Sequence, residues 1–171
     1  ILVDNEEYLI FDNTEFQEYL AAKALTRIGR TEQIIFDLAV DHHLGDILSS
    51  WINVLSYLVE MKPNLLLPLI KYGCRTKNAD LFELIRYADI NYFQTNEKER
   101  KDIFDSILSF YNSSNRLVSN RYEKHLSNFF PKDYYQEYIA ALKSLDELSF
   151  SKTVYVKATS ITILLNHALP Q

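Results

Sequence analysis

An all-α chain opening on a short β-hairpin is the fold class this sequence predicts, and three observations predict it. Apolar residues recur at spacings of three and four in one stretch after another. Short polar connectors divide these stretches and carry Asp, Asn, Thr or Pro, the residues that begin helices. Only the start differs: Ile1-Leu2-Val3 and Tyr8-Leu9-Ile10-Phe11 are short apolar runs around Asp4-Asn5-Glu6-Glu7, the pattern of a hairpin. Successive amphipathic helices with short links pack as antiparallel pairs. The expected architecture is therefore helical hairpins stacked as a HEAT/armadillo-like array. No strict repeat is visible, so an irregular bundle is the alternative.

Each element has its own reason. Asp12 or Asn13 caps the first helix, with Asp12 and Glu15 spaced as a capping box. Its apolar stripe reads Phe16, Leu20, Ala24 and Ile28 with Tyr19 beside it, and Gly29 stops it. Ala21-Ala22 leaves one face thin enough for another backbone to approach. Thr31 caps a helix over Glu32–Val40. Residues 47–61 place Leu48, Trp51, Ile52, Leu55, Leu58 and Val59 together. Pro63 starts an element near Leu65–Tyr72, whose register Pro68 leaves open. Asn78 or Asp80 opens a helix through Leu81, Leu84 and Ile85, and Thr95 or Asn96 opens a longer one through Ile103, Phe104, Ile107, Leu108 and Tyr111. A weaker element covers Arg121–Phe129. Helices then follow on Tyr135, Tyr138, Ile139 and Leu142, and on Val154, Ala158, Ile161, Leu165 and Ala168.

Composition excludes several function classes. With 171 residues and 47% hydrophobic content the chain has the material for a core, which a disordered tail lacks. Its three glycines, Gly29, Gly45 and Gly73, cannot build a phosphate-binding loop, and no Gly-x-Gly-x-x-Gly exists. A net charge of −5 argues against a general nucleic-acid binder. Asp4, Glu6, Glu7, Asp12, Glu15 and Glu18 make residues 1–20 acidic with no Lys or Arg; a solvated edge is the plainer reading, a basic neighbouring domain the other. The single Cys74 forbids an internal disulfide and fits a reducing, cytoplasmic setting. The longest apolar run, Leu65–Ile70, contains Pro68 and is far short of a bilayer span, so no membrane is expected. Opening on Ile1 rather than Met is what an excised segment would do.

Phe11-Asp12-Asn13-Thr14-Glu15-Phe16-Gln17-Glu18-Tyr19-Leu20-Ala21-Ala22, placed after two apolar runs, resembles the end of the winged-helix region of NACHT-family STAND NTPases. The likeness covers Tyr8–Leu25 and continues thinly at Trp51-Ile52-Asn53-Val54-Leu55. It implies that residues 1–28 close a winged-helix module and that residues 29–171 begin a helical, repeat-like sensor region. Phe11, Phe16, Tyr19 and Leu20 would then pack between modules. The upstream NTPase domain of the same chain would be a partner, and a protein or other ligand would dock on the helical face. The parent would hold ADP or ATP and oligomerise when switched, in antiphage defence or innate immunity. This segment would carry no cofactor and no catalytic residue of its own. The family has His two residues after the first Phe, touching the phosphate of ADP. Here that place is Asn13, which hydrogen-bonds but carries no charge. Asn13 is thus the nucleotide-sensor position by resemblance and a plain helix cap by residue chemistry. The alternative function is a stand-alone α-helical protein-interaction scaffold with no nucleotide partner.

Four further groups invite chemistry. Asp41-His42-His43, with Asp46 nearby, resembles the motif of DHH phosphoesterases, but that motif belongs to an α/β fold with further Asp motifs upstream. A polar helix terminus with His near the last carbonyls is the expectation, and no metal site is expected. Cys74 lies near Arg75 and Lys77, which would lower its pKa, but it has no His beside it; an inert thiol is expected. His125 and His167 are isolated. Lys71, Arg75 and Lys77, with Arg116, Arg121 and Lys124, form two basic groupings. They read as solubility charge, or as a ligand-reading surface if they share one face.

Overall fold

Asn13 is where the helical body starts. Its backbone is extended (φ −129°, ψ 112°) and its side-chain oxygen accepts the Phe16 N–H at 3.2 Å, which satisfies one donor left open by the first helical turn. The computed structural model describes residues 2–5, 8–11, 13–29, 31–114, 125–126 and 128–130. It is mostly helical. Strands β1 (Leu2–Asn5) and β2 (Tyr8–Phe11) pair antiparallel, Leu2 opposite Phe11 and Asn5 opposite Tyr8. Asp12 and its capping box lie outside the described residues, as do Arg116, Arg121, Lys124, His167 and the two helices expected after Pro131.

Helix α1 (Thr14–Thr26) buries Ala22 and Leu25, not the stripe that the sequence suggested. Phe16 is 48% exposed, Ile28 is 40% exposed and Ala24 faces solvent. The helix also ends before Gly29, where the Arg27 N–H closes onto the Ala24 and Leu25 carbonyls. The reason for the reversal lies in the small residues. Fully buried Ala22 lets α1 approach α3 (Ile52–Met61) more closely than a Phe or Leu at the interface would allow.

α2 (Thr31–Ala39) seats Ile35 and Ala39 in the core. A short loop returns the chain through a bridge between Val40 and Ile47, and a 3-10 turn at Ser49–Trp51 leads into α3. On α3, Val54, Leu55, Ser56, Leu58 and Val59 are all buried, covering more than one face, so α3 is an inner helix. A second 3-10 turn, Pro63–Leu65, runs into α4 (Leu66–Thr76). Pro68 is the third residue of α4, where a missing N–H costs no helical hydrogen bond, which resolves the register. Lys77 takes the left-handed conformation (φ 63°) and the chain doubles back, with the Asn78 N–H on the Gly73 carbonyl at 2.9 Å.

The segment Ala79–Tyr87 is a nine-residue 3-10 helix rather than the α-helix expected from the sequence. Leu81/Leu84 and Phe82/Ile85 are spaced by three, which suits either helix type, so the pattern alone could not distinguish them. α5 (Ile90–Thr95) is an addition: Asp89 caps it by accepting the Asn91 N–H at 2.9 Å, and Phe93 anchors it. α6 (Glu97–Ser114) then buries Ile103, Phe104, Ile107, Phe110 and Tyr111. The most extensive helix contacts are α1 with α3 and α4 with α6, and the 3-10 segment packs on both α3 and α4. Leu126, Phe129 and Phe130 complete the core: Phe129 meets Phe93 with ring centres 5.1 Å apart, and Phe130 meets Phe104 at 5.5 Å. No helix among the described residues is long and apolar enough to cross a membrane.

Candidate interaction surfaces

The N-terminal turn of α1 holds the positions singled out by resemblance. Asn13 is exposed and its Oδ1 serves the cap. Phe16 lies on the outside, while Leu20 is half-buried. Tyr19 turns inward: its ring meets Tyr57 of α3 edge-on at 5.7 Å, and Lys23 lies 5.7 Å from its centre. Glu18 accepts from the Asn53 amide at 3.1 and 3.2 Å, which ties α1 to α3 at the rim. The Phe11 side chain lies outside the described residues. Tyr19 is thus engaged with α3, while Leu20 is half-buried and Phe16 is about half exposed.

Asp41, His42 and His43 sit in the loop after α2. The Asp41 carboxylate accepts the His43 and Leu44 N–H groups at 2.8 and 3.2 Å, folding the loop on itself, and Gly45 takes φ 73° to complete the turn. His42 Nε2 lies 3.2 Å from the Asp37 carbonyl, in the last turn of α2. These contacts serve turn and helix end. Among the described residues no group of three His, Cys, Asp or Glu side chains converges as a metal would require.

Cys74 is the inert thiol that the sequence suggested, part-buried and free. Burial pushes its thiol up to about 11, and its Sγ faces the Ser106 carbonyl at 3.4 Å. Desolvation prevails over the nearby Arg75 and Lys77, so the thiolate that a nucleophile needs is scarce at neutral pH.

Besides a cleft beside Gly29, Gln33, Lys62 and Asn64, two more open on the helical body. One, about 410 Å³, lies between α2 and α4 and is lined by Glu32, Phe36, Leu67, Pro68, Lys71, Tyr72 and Arg75. Phe36 stacks on Tyr72 (4.8 Å between centres, planes at 26°), and the Tyr72 hydroxyl donates to the Gly45 carbonyl, so the loop after α2 fixes the ring. The Arg75 guanidinium lies 5.1 Å over the same ring. The other cleft lies between Leu67 and the start of α6, beside Glu97, Lys98, Glu99 and Asp102. There Tyr92 donates to Glu99 at 3.2 Å. Burial holds the Glu99 carboxyl above its ordinary value, the Tyr92 bond counters that, and the Asp102 charge reinforces it. Lys71 and Arg75 were readable in the sequence as a basic pair. The aromatic floor beneath them was not, because Phe36 and Tyr72 meet only through the fold. Comparison with protein-family models, curated proteins and solved structures gives no match for this chain.

Proposed function

We propose that the chain is a non-catalytic regulatory segment of a NACHT-type STAND ATPase, coupling recognition of a partner to a nucleotide switch in defence signalling. In this reading residues 1–28 are the last hairpin and helix of a winged-helix module, and residues 29–171 are the helical sensor region. The parent, cytoplasmic and oligomerising, binds ATP and ADP in an upstream domain. The observation that carries the reading is the Phe11–Ala22 motif at the join of a strand pair and a capped helix, α1, which packs along α3. A helix held this way couples whatever binds its outer face to rigid-body movement of the helices behind it. Asn13 is then a capping residue at the place where the family has a charged sensor. Within residues 29–171 the most extensive helix contact, α4 with α6, skips the 3-10 segment and α5, which favours an irregular bundle over stacked hairpins.

The coding region upstream of Ile1 tests this. We expect a Gly-x-x-x-x-Gly-Lys-Ser/Thr loop followed by an acidic metal-binding strand. Helical sequence without a phosphate loop would sink the ATPase reading and leave the second one, a helical interaction scaffold. That second reading has its own support: Tyr19 meets Tyr57 of α3, and Ala22 and Leu25 are buried in the core.

A further inference from the structure

We infer that the cleft between α2 and α4 docks a short acidic peptide segment of a partner protein, with Lys71 and Arg75 taking its carboxylates and Leu67, Pro68 and Phe36 taking an apolar side chain beside them. This deepens the recognition role just proposed and rests on it only for its purpose, not for its chemistry.

Charge is the first argument. From Met61 to Ala79 the chain carries Lys62, Lys71, Arg75 and Lys77 and no Asp or Glu, in a protein whose net charge is −5. Three other cations are matched locally, Arg86 with Glu83, Arg100 with Glu97 and Lys101 with Asp105, each within one turn. Lys71 and Arg75 make no such ion pair among the described residues. They stand one turn apart on the exposed side of α4, so both reach the same mouth of the cleft.

Geometry is the second. The apolar floor is held before any ligand arrives: Tyr72 is fixed by its hydroxyl to the Gly45 carbonyl, Phe36 stacks on it, and Arg75 is held over the ring. A preset floor and a preset cation lower the ordering cost of binding. Glu32 lines the opposite, α2 side and repels carboxylates there, which directs acidic side chains towards α4. Two cations with one opposing carboxylate suit one or two acidic side chains. They do not suit a nucleic-acid backbone, whose binding grows with each phosphate neutralised and so calls for a longer run of cations.

The test is fluorescence anisotropy of the whole 171-residue chain with a fluorescein-labelled peptide Asp-Glu-Leu-Glu-Phe-Asp-Asp. Its Asn/Gln counterpart and a version with Ser for Leu and Phe serve as comparisons. We expect saturable binding of the acidic peptide and weaker binding of both comparisons. Lys71→Glu/Arg75→Glu should weaken it by about ten-fold or more. Lys98→Glu, at the other cleft, should leave it unchanged. Lys98→Glu should melt like the wild type and the double variant a little lower but cooperatively, since Arg75→Glu loses the contact with the Tyr72 ring and the favourable charge in the last turn of α4. Equal binding of the acidic and neutral peptides would overturn the inference, as would undiminished binding by a well-folded double variant. So would tighter binding of a single-stranded oligoribonucleotide. Concentration-dependent self-association that the double variant abolishes, and that Glu15→Lys/Glu18→Lys restores in it, would assign the cleft to a second copy instead. None of these outcomes depends on what lies upstream of Ile1, so the docking site and the ATPase reading can fail separately.

Discussion

Helices α1 and α3 lie side by side, and the contrast between them shows how this protein divides its work. α3 buries five consecutive-turn residues and contacts structure on more than one side. α1 buries two, Ala22 and Leu25, and leaves Phe16 half in solvent. The inner helix holds the fold through apolar area. The outer helix holds its place through a small-residue contact, a cap and rim bonds such as Glu18 with Asn53, and keeps a large aromatic on its outer face. An element of the first kind cannot change partners without unfolding the body; one of the second kind can.

Substitutions rank the two. The largest loss belongs to the inner layer: Leu55→Ala should cost roughly 2–5 kcal/mol, because a fully buried side chain leaves a cavity that α1 and the Ala79–Tyr87 segment cannot fill. A chemical-denaturation midpoint near wild type would break the assignment of α3 as inner. Next is Gly73→Ala on α4. The added carbon would meet the Asn78 carbonyl at 2.8 Å and the Leu81 Cβ at 3.2 Å, both on the returning chain. Overpacking of this kind costs about 1–3 kcal/mol, and thermal melting should show it despite the better helix propensity of Ala. Asn13→Ala removes the cap of the outer helix and should cost about 1 kcal/mol, with Asn13→Asp close to wild type in the same melts. Phe16→Ala sharpens the comparison most directly. A buried Phe would cost about 3–5 kcal/mol, but at 48% exposure we expect about 1 kcal/mol or less in this chain. A large loss would move Phe16 to the inner class.

The smallest effect is a pH dependence at Glu99 on α6. Its pKa is raised by burial, so the folded state holds the proton more tightly than the unfolded chain does. The group costs nothing below its unfolded value near 4.5 and destabilises progressively as pH rises through the folded value. Wild type should therefore lose ground to Glu99→Gln as pH rises from 4 towards 7, by a small margin because the side chain is only partly buried. Parallel melting curves across that range would remove the effect.

Much of the helical order was legible, and the particular failures share a cause. Asn13, Asn78 and the start of α6 were readable because a cap is a local bargain between one side chain and the next turn. The face of α1 was not, because Phe16-Leu20-Ala24-Ile28 has more apolar area than Ala22-Leu25, and periodicity counts area. Which stripe goes inward was decided by how closely α3 could approach, a fact held in another segment. α5 was missed for its six residues, too few for a period to declare itself. At the clefts the sequence showed the charges of Lys71 and Arg75 but not the stacked Phe36 and Tyr72, which are brought together by a loop that sequence reading treated only as a helix end.

The nine-residue 3-10 run between Asn78 and Ala88 has a mechanical side. At about 2.0 Å per residue it spans roughly 18 Å, where an α-helix of the same nine residues would span about 13.5 Å. The segment is a tether with slack of about 4.5 Å between α4 and the α5–α6 unit. Relaxing it to the wider α-helix, with about 3.6 residues per turn, would draw those helices together and turn Leu81 and Ile85 relative to one another. Distance, rather than shape, is what this stretch of chain holds in reserve.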